Sequence, residues 1–306
     1  MRKNYSVIIP HYNDYSRLER LLSSVPLHRK DVEVLVIDDM SPDQEALELI
    51  MSRWPAVNWL KTPKNAGAGA ARNVGLGQAR GERLVFADSD DEFLPGAFDV
   101  FDEQVGDDDD LVYFLAEAVQ EVDGSPSNRA DRYNDLCKAY LDDPSDSARE
   151  QLLLGHVVPW AKVYSRRFIV EKNILFEEVP ISDDVAFNVL AAVQAKNVRV
   201  VLVPVYRIFR RAGSLMTNDS LSAMLEQLGV LSRLNRELAA LGVPGRMHAG
   251  SYLYRALRKG PRAFVAAFRE TLAGGLLGPT IRRLSYGEIA GFLRRTRQDR
   301  HERRRI

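Results

Sequence analysis

Short apolar runs alternate with helically spaced leucines through the first part of the chain. Ser6-Val7-Ile8-Ile9-Pro10 reads as a strand stopped by proline. Asp14 to Ser24 follows with Leu18, Leu21 and Leu22 on one helical face. Val32 to Ile37 is a second strand, and Ser41-Pro42-Asp43 supplies an N-cap and an early proline for a helix through about Met51. Val57-Asn58-Trp59-Leu60 predicts a third strand, Ala68 to Ala79 a third helix and Arg83 to Ala87 a fourth strand. Strands alternating with helices of about ten residues predict a mainly parallel sheet covered by helices, an α/β fold.

Downstream the alternation loosens. Asp107 to Asp110 reads as a solvated turn before a strand at Leu111 to Leu115. Residues 121–150 are polar and turn-rich, an excursion from the sheet with short helices. Strand-like segments return at Val198 to Val203 and Val205 to Phe209. Beyond Asn218, Leu221, Leu225, Leu228, Leu231, Leu234, Leu238 and Leu241 recur at helical spacing, with Gly242 as a C-terminal stop. The expected division is a sheet domain over residues 1–217 and a helical extension over residues 218–306.

Of the 306 residues, 45% are hydrophobic and 27% charged, ordinary for a globular protein. The one cysteine, Cys137, excludes an intrachain disulfide and suits a reducing compartment. No apolar h-region follows Met1-Arg2-Lys3, and no apolar run approaches the ~18 residues that span a bilayer. The expectation is a cytoplasmic protein, or one that touches a membrane from the side. Net charge is zero, yet residues 245–306 carry fifteen Lys/Arg against four Asp/Glu. A basic tail suits anionic lipid, nucleic acid or an acidic partner, or forms solvated helix faces. The pattern Ile281-Arg282-Arg283-Leu284 and Phe292-Leu293-Arg294-Arg295 favours lipid, and no nucleic-acid motif is visible.

Acidic clusters stand at the strand ends. Asp88-Ser89-Asp90-Asp91 follows an apolar strand, where open α/β sheets bind ligands. Such a cluster repels itself unless neutralised, and oxygen ligands suit Mg²⁺ or Mn²⁺ sharing its remaining positions with water and phosphates. An acidic turn capping the next helix is the alternative. Asp38-Asp39 ends the second strand; these carboxylates can accept hydrogen bonds from ribose or a base N–H. Asn65-Ala66-Gly67 through Arg72-Asn73-Val74-Gly75 is a small-residue loop entering a helix, with Arg72 as a cationic fork for phosphate or carboxylate. Its place after the third strand, with Arg72 where a third glycine belongs, argues against a nicotinamide site. Asp183-Asp184 falls at a helix start, where one acid can cap and the other can act as a general base. The five histidines show no metal-ligand spacing, and His11 reads as a loop histidine with ordinary hydrogen bonds. Cys137 reads as an ordinary thiol.

Together these segments resemble family 2 glycosyltransferases. The resemblance rests on Val7-Ile8-Ile9-Pro10-His11-Tyr12-Asn13, Ile37-Asp38-Asp39-Met40-Ser41, Asn65-Ala66-Gly67, Ala71-Arg72-Asn73-Val74-Gly75, and Asp88-Ser89-Asp90-Asp91 with Pro95-Gly96. It continues through Trp160-Ala161-Lys162-Val163-Tyr164, Asp183-Asp184-Val185-Ala186-Phe187 and Arg210-Arg211-Ala212-Gly213-Ser214-Leu215-Met216-Thr217. It implies a GT-A fold and inverting transfer of a sugar from a nucleotide-diphospho-sugar, UDP-linked, to a hydroxyl of a glycan or lipid-linked acceptor in cell-surface polysaccharide synthesis. By the same resemblance, Pro10 and Tyr12 border the nucleotide, Asp39 contacts the base with Asp38 in support, and Arg72 lies near the base or diphosphate. Asp88 lies near the ribose or donor sugar, Asp90 ligates Mn²⁺ or Mg²⁺, and Asp184 is the base. Arg210, Ser214 and Thr217 lie on a loop closing over the diphosphate. Asp91 and Asp183 are supporting candidates, and Trp160 lines an acceptor pocket or sits in the core. The family's usual Glu-Asp pair is Asp183-Asp184 here, one methylene shorter at the first position. No Gln-x-x-Arg-Trp sequence or membrane span occurs, which argues against a processive synthase. The alternatives are a sugar-phosphate nucleotidyltransferase, whose glycine-rich first loop is replaced here by Pro10-His11-Tyr12-Asn13, and a non-catalytic nucleotide-sugar-binding module.

Overall fold

The computed structural model describes residues 4–211 and 220–283. The chain divides into two compact units, Met1–Thr217 and Asn218–Ile306. The strands of the first unit are β1 (Tyr5–His11), β2 (Val32–Asp38), β3 (Asn58–Lys61), β4 (Arg83–Phe86), β5 (Glu92–Phe93), β6 (Leu111–Gln120), β7 (Lys162–Ser165) and β8 (Val198–Arg210). Its helices are α1 (Tyr15–Ser24), α2 (Gln44–Arg53), α3 (Ala68–Gln78), α4 (Ala97–Gln104), α5 (Asp131–Asp142), α6 (Asp146–Gly155), α7 (Arg166–Glu171) and α8 (Asp183–Gln194).

The strands form one eight-stranded sheet in the order β3-β2-β1-β4-β7-β6-β8-β5. β1 pairs in parallel with β2 and β4, and β2 with β3. β7 runs antiparallel to both β4 and β6, while β6 and β8 are parallel. β1 and β2 are buried along their whole length, as suits central strands covered on both faces. Leu18, Leu21 and Leu22 of α1 are buried, so the helical spacing of the sequence marks the packed face. Because β1, β2 and β4 are parallel, their carboxyl ends open on one edge, which gathers the acids after β2 and β4.

Several local expectations change. The cap of α2 is Asp43, whose carboxylate accepts the Ala46 amide at 3.0 Å. Pro42 therefore precedes the cap, and the Ser41 hydroxyl instead accepts the Asn13 amide at 2.8 Å. The segments around Val198 and Val205 are one strand, β8, whose pairing to β6 shifts register between Tyr113 and Ala116. That irregularity absorbs Pro204, which has no amide to donate to a ladder. β5 and β7 were not legible, one spanning two residues and the other burying a lysine. Asp109 is no solvated turn residue: it is buried, pairs with Arg199 at 2.7 Å and accepts the Gly106 amide at 2.8 Å.

The second unit is helical, with α9 (Leu221–Ala240), α10 (Gly250–Lys259), α11 (Pro261–Ala273) and α12 (Leu277–Arg283). Leu228, Leu231, Leu234 and Leu238 form the buried stripe of α9, and Gly242 takes the left-handed φ of 70° just beyond it. Asn235 ties α9 to the Met247 backbone at 2.9 and 2.7 Å, and Ser232 donates to the Gly274 carbonyl at 3.0 Å. Leu257, Val265, Phe268, Leu272 and Ile281 are exposed in this unit. Of the basic, apolar pattern, Ile281-Arg282-Arg283 close α12, while Leu284 and Phe292-Leu293-Arg294-Arg295 lie outside the described residues. Among the described residues no helix is long and apolar enough to cross a membrane.

Candidate active site

The site is organised by a buried arginine. Arg72 projects from α3 and is 5% exposed. One guanidinium nitrogen pairs with Asp88 after β4 and another with Asp183 at the start of α8, each at 2.6 Å. Burial alone would lower its pKa, but Asp183, Asp88 and Asp184 together raise it, so the guanidinium stays charged. The ring of Phe176 lies 5.2 Å from its central carbon. Gly69 makes this approach possible: a Cβ there would collide with the Glu177 carbonyl and come within 2.9 Å of the Asp183 Cβ. Arg72 was expected near a base or diphosphate. Its fork holds two carboxylates, one 16 and the other 111 residues further along the chain.

The same clamp sets the neighbouring acid. Ser182 adopts a φ of 61°, uncommon for a residue with a side chain, and turns the backbone sharply into α8. Asp183 and Asp184 then occupy its first turn. The Asp184 carboxyl is pushed up to about 7, first by burial and then by Asp183, with Arg72 pulling it back and Asp88 adding to the push. Among the described residues it forms no ion pair. A half-buried carboxyl titrating near neutrality is suited to taking and releasing a proton.

At the end of β4 the three acids differ in role. Asp88 holds Arg72, and its amide donates to the Tyr206 hydroxyl at 2.9 Å. Asp90 keeps about a third of its side chain open and faces Arg211 at 3.4 Å. Burial and the charge of Asp88 raise the Asp90 carboxyl, and Arg211 offsets part of that. Asp91 is buried and accepts the Phe209 amide at 3.1 Å, anchoring β8 to the loop after β4. Burial, then Asp90 and Asp88, push it well above the ordinary carboxylate range. It serves as an internal tether.

The acids after β2 are saturated by local donors. Asp38 accepts the Ser41 amide at 3.1 Å. Asp39 accepts the Thr62 hydroxyl at 2.8 Å and the Ala66 and Gly67 amides at 3.0 and 2.7 Å. Pro10 is buried at the end of β1, while Tyr12 is 52% exposed beside it. His11 is buried, not a loop histidine: neither ring nitrogen has a hydrogen-bond partner among the described residues, and burial lowers its pKa.

Other expected residues fall elsewhere. Trp160 is 3% exposed and stacks on Tyr206 at 6.1 Å, a core residue with no open pocket face. Arg210 donates to Asn128 at 3.3 Å, whereas Arg211 reaches Asp90 and Asp14. Arg210 is the last residue of β8 and Arg211 lies one residue beyond it. Ser214 and Thr217 lie outside the described residues. Nothing local in the sequence signals that Arg211 faces Asp90 or that Arg20 donates to the Asp90 carbonyl, because a surface arginine carries no trace of its partner.

The donor set suits a hard divalent cation. Asp88 and Asp90 are oxygen ligands with surplus negative charge, but among the described residues no group of three or more His, Cys, Asp or Glu converges to hold a metal unaided. The protein would thus provide few ligands, leaving positions for phosphate oxygens and water, as Mg²⁺ and Mn²⁺ sites do.

A mixed, mostly parallel sheet with acids at the carboxyl ends of β2 and β4 is an α/β architecture, and solved structures share it. Staphylococcus aureus TarS 1-349 in complex with UDP-GlcNAc superposes with a TM-score of 0.60 at 21% identity, covering 88% of this chain and 73% of that one. The mannosyltransferase PcManGT from Pyrobaculum calidifontis in complex with GDP-Man and Mn²⁺ gives a TM-score of 0.54 at 14% identity, covering 97% and 81%. The fold is GT-A. Glycosyl transferase family 2 matches residues 6–171, and the chain belongs to that family. Bacillus subtilis (strain 168) EpsH is 28% identical over 212 residues, 66% of this chain and 59% of its own length. The chain spans about six-tenths of the length of the first curated relatives it matches. The expected family, the α/β GT-A fold and the helical C-terminal region are borne out.

Proposed function

We propose that this protein is an inverting, metal-dependent glycosyltransferase that moves a sugar from a UDP-linked donor to a hydroxyl of a glycan or lipid-linked acceptor. The observation that carries this reading is the Arg72 clamp, which sets Asp184 and the Asp88–Asp90 loop beside one another at the carboxyl edge of the sheet. Asp184 takes the proton from the acceptor hydroxyl as its oxygen attacks the anomeric carbon. One carboxylate on the side opposite the leaving group suffices for a single displacement, which inverts that carbon. A divalent cation held by Asp90 and the donor's diphosphate would neutralise the charge gathering on the leaving nucleoside diphosphate. Asp88 orients the donor sugar or ribose, and Asp38, Asp39, Pro10 and Tyr12 border the nucleoside. Arg210, Ser214 and Thr217 contact the donor's diphosphate.

Support for the donor and metal comes from relatives: TarS was solved with UDP-GlcNAc and PcManGT with Mn²⁺. The enzyme would act in the cytoplasm, with its basic C-terminal region resting on the inner face of the membrane. Equal co-sedimentation with anionic liposomes by the full chain and by a chain ending before Arg282 would dismiss that membrane contact. The central test incubates the protein with Mn²⁺ and a panel of nucleotide sugars. Nucleoside diphosphate release, lost in Asp90→Ala and Asp184→Asn, is expected. Pyrophosphate formed from a nucleoside triphosphate and a sugar phosphate would replace this reading with a nucleotidyltransferase. Donor binding without turnover on any acceptor would leave only a binding module.

A further inference from the structure

Behind Asp184 lies a buried cation that the proposed reaction does not use. Lys162, on β7, is 0% exposed. Its ammonium donates to the His156 carbonyl at 2.7 Å and to the Asn188 side-chain oxygen at 2.9 Å, and it lies 4.8 Å from the centre of the Tyr113 ring. Three N–H groups thus meet two oxygens and a π-face, a set that accepts and does not donate. The His156 imidazole is held neutral by burial and by Lys162 itself, and burial keeps the Cys137 thiol protonated, pushed up to about 12. Burial pulls Lys162 well below the ordinary lysine range, partly offset by the Asp184 charge, and the acceptors around the ammonium favour its charged form.

The geometry leads from this lysine to Asp184. The Asn188 side-chain oxygen accepts from both Lys162 and the Tyr164 hydroxyl, the latter at 2.7 Å. Two donors on that oxygen fix the amide orientation, so its nitrogen points the other way and donates to the Asp184 carbonyl at 2.8 Å. The first turn of α8 is thereby held through its main chain at the residue whose side chain faces the site. We infer that Lys162 is a positioning residue for Asp184, acting through Asn188, and that its buried positive charge belongs to the electrostatic setting of that carboxylate.

This rests on the reading of Asp184 as the base. The other charged or titratable groups that act on Asp184 or are acted on by it are Asp183 on the same helix, Arg72 on α3, Asp88 after β4, Tyr164 on β7 and Tyr133 on α5. Arg72 is the cation already paired with two acids, which leaves Lys162 as the cation without a carboxylate in contact.

The test uses the full chain with ¹³C-labelled aspartate, the Asp184 carboxyl signal being assigned by its loss in Asp184→Asn. In Lys162→Met the Asp184 titration midpoint should move upward relative to the wild type, and UDP release from UDP-sugars should fall about tenfold to a hundredfold with UDP affinity unchanged. In Asn188→Ala the release should fall similarly while the midpoint moves less, because the cation remains. An unmoved Asp184 midpoint in folded Lys162→Met overturns the inference. If Lys162→Met does not fold, Asn188→Ala decides: wild-type release overturns the positioning link, and loss with intact UDP affinity supports it. Failure of the underlying reading has a different signature, since Asp184→Asn would then keep its release of UDP whatever Lys162 does.

Discussion

At the end of β2, Asp38 and Asp39 are met by the Ser41, Ala66 and Gly67 amides and the Thr62 hydroxyl. At the end of β4, Asp88 and Asp90 face Arg72 and Arg211 instead. In sequence the two clusters look alike: carboxylates directly after an apolar strand. In space the first is closed by neutral donors from its own neighbourhood, and the second is balanced by cations brought from α3 and from the end of β8. Neutral amides fix a carboxylate in place without adding charge. A cluster whose charge is only partly offset retains an appetite for a further cation. The contrast teaches that an acidic motif becomes reactive through what fails to satisfy it.

The comparison can be broken most directly at Arg72. Arg72→Met should leave Asp88 and Asp183 unbalanced, lowering unfolding free energy by about 3–5 kcal/mol in urea titrations and removing detectable UDP release. Arg72→Lys should recover only part of this, since a point charge cannot bridge two carboxylates as a fork does. A melting curve equal to wild type in Arg72→Met would show that the β4 cluster needs no cation.

Asp184→Asn should lower UDP release by about 10²–10³-fold with the nucleotide still bound. Wild-type activity should rise with pH through a midpoint near 7, as the base loses its proton. The same substitution should stabilise the fold at pH 8. The carboxyl keeps its proton to about 7 in the fold against 3.8 ordinarily, so stability is full below 3.8 and is lost as pH rises through about 7. Asp184→Asn escapes that loss, raising the melting temperature by about 5 °C at pH 8 and leaving it unchanged at pH 4.

Asp90→Ala should reduce Mn²⁺-stimulated release by about 10²-fold, and EDTA should stop release by the wild type until Mn²⁺ is restored. Undiminished release in EDTA would remove the cation from the β4 cluster. The smallest effect belongs to the β2 cluster. Thr62→Val removes one of several donors to Asp39 and should cost about 1 kcal/mol of stability, with a few-fold weaker affinity for UDP by calorimetry. A loss larger than that of Arg72→Met would invert the contrast between the two strand ends.

Much of this was written in short windows of sequence. Periodicity located β1, β2, α1, α3 and α9, because the two-residue and 3.6-residue repeats are local consequences of which face meets the core. The acids after β2 and β4 were visible for the same reason, since a strand end and its following loop are contiguous. Asp91 and Trp160 show the limit: one anchors β8 and the other packs on Tyr206, roles set by partners distant in sequence.

By itself, then, the sequence determined the α/β alternation, the family and which strand ends carry acids. Only the tertiary structure decided that Arg72 would clamp Asp183, 111 residues away, that Arg211 rather than Arg210 would face Asp90, and that Lys162 would be buried behind Asp184. Local patterns record which face of an element is covered. Charge pairing across elements depends on how the sheet orders its strands, and β7, which inserts antiparallel between β4 and β6, leaves no periodic trace of that order in the chain.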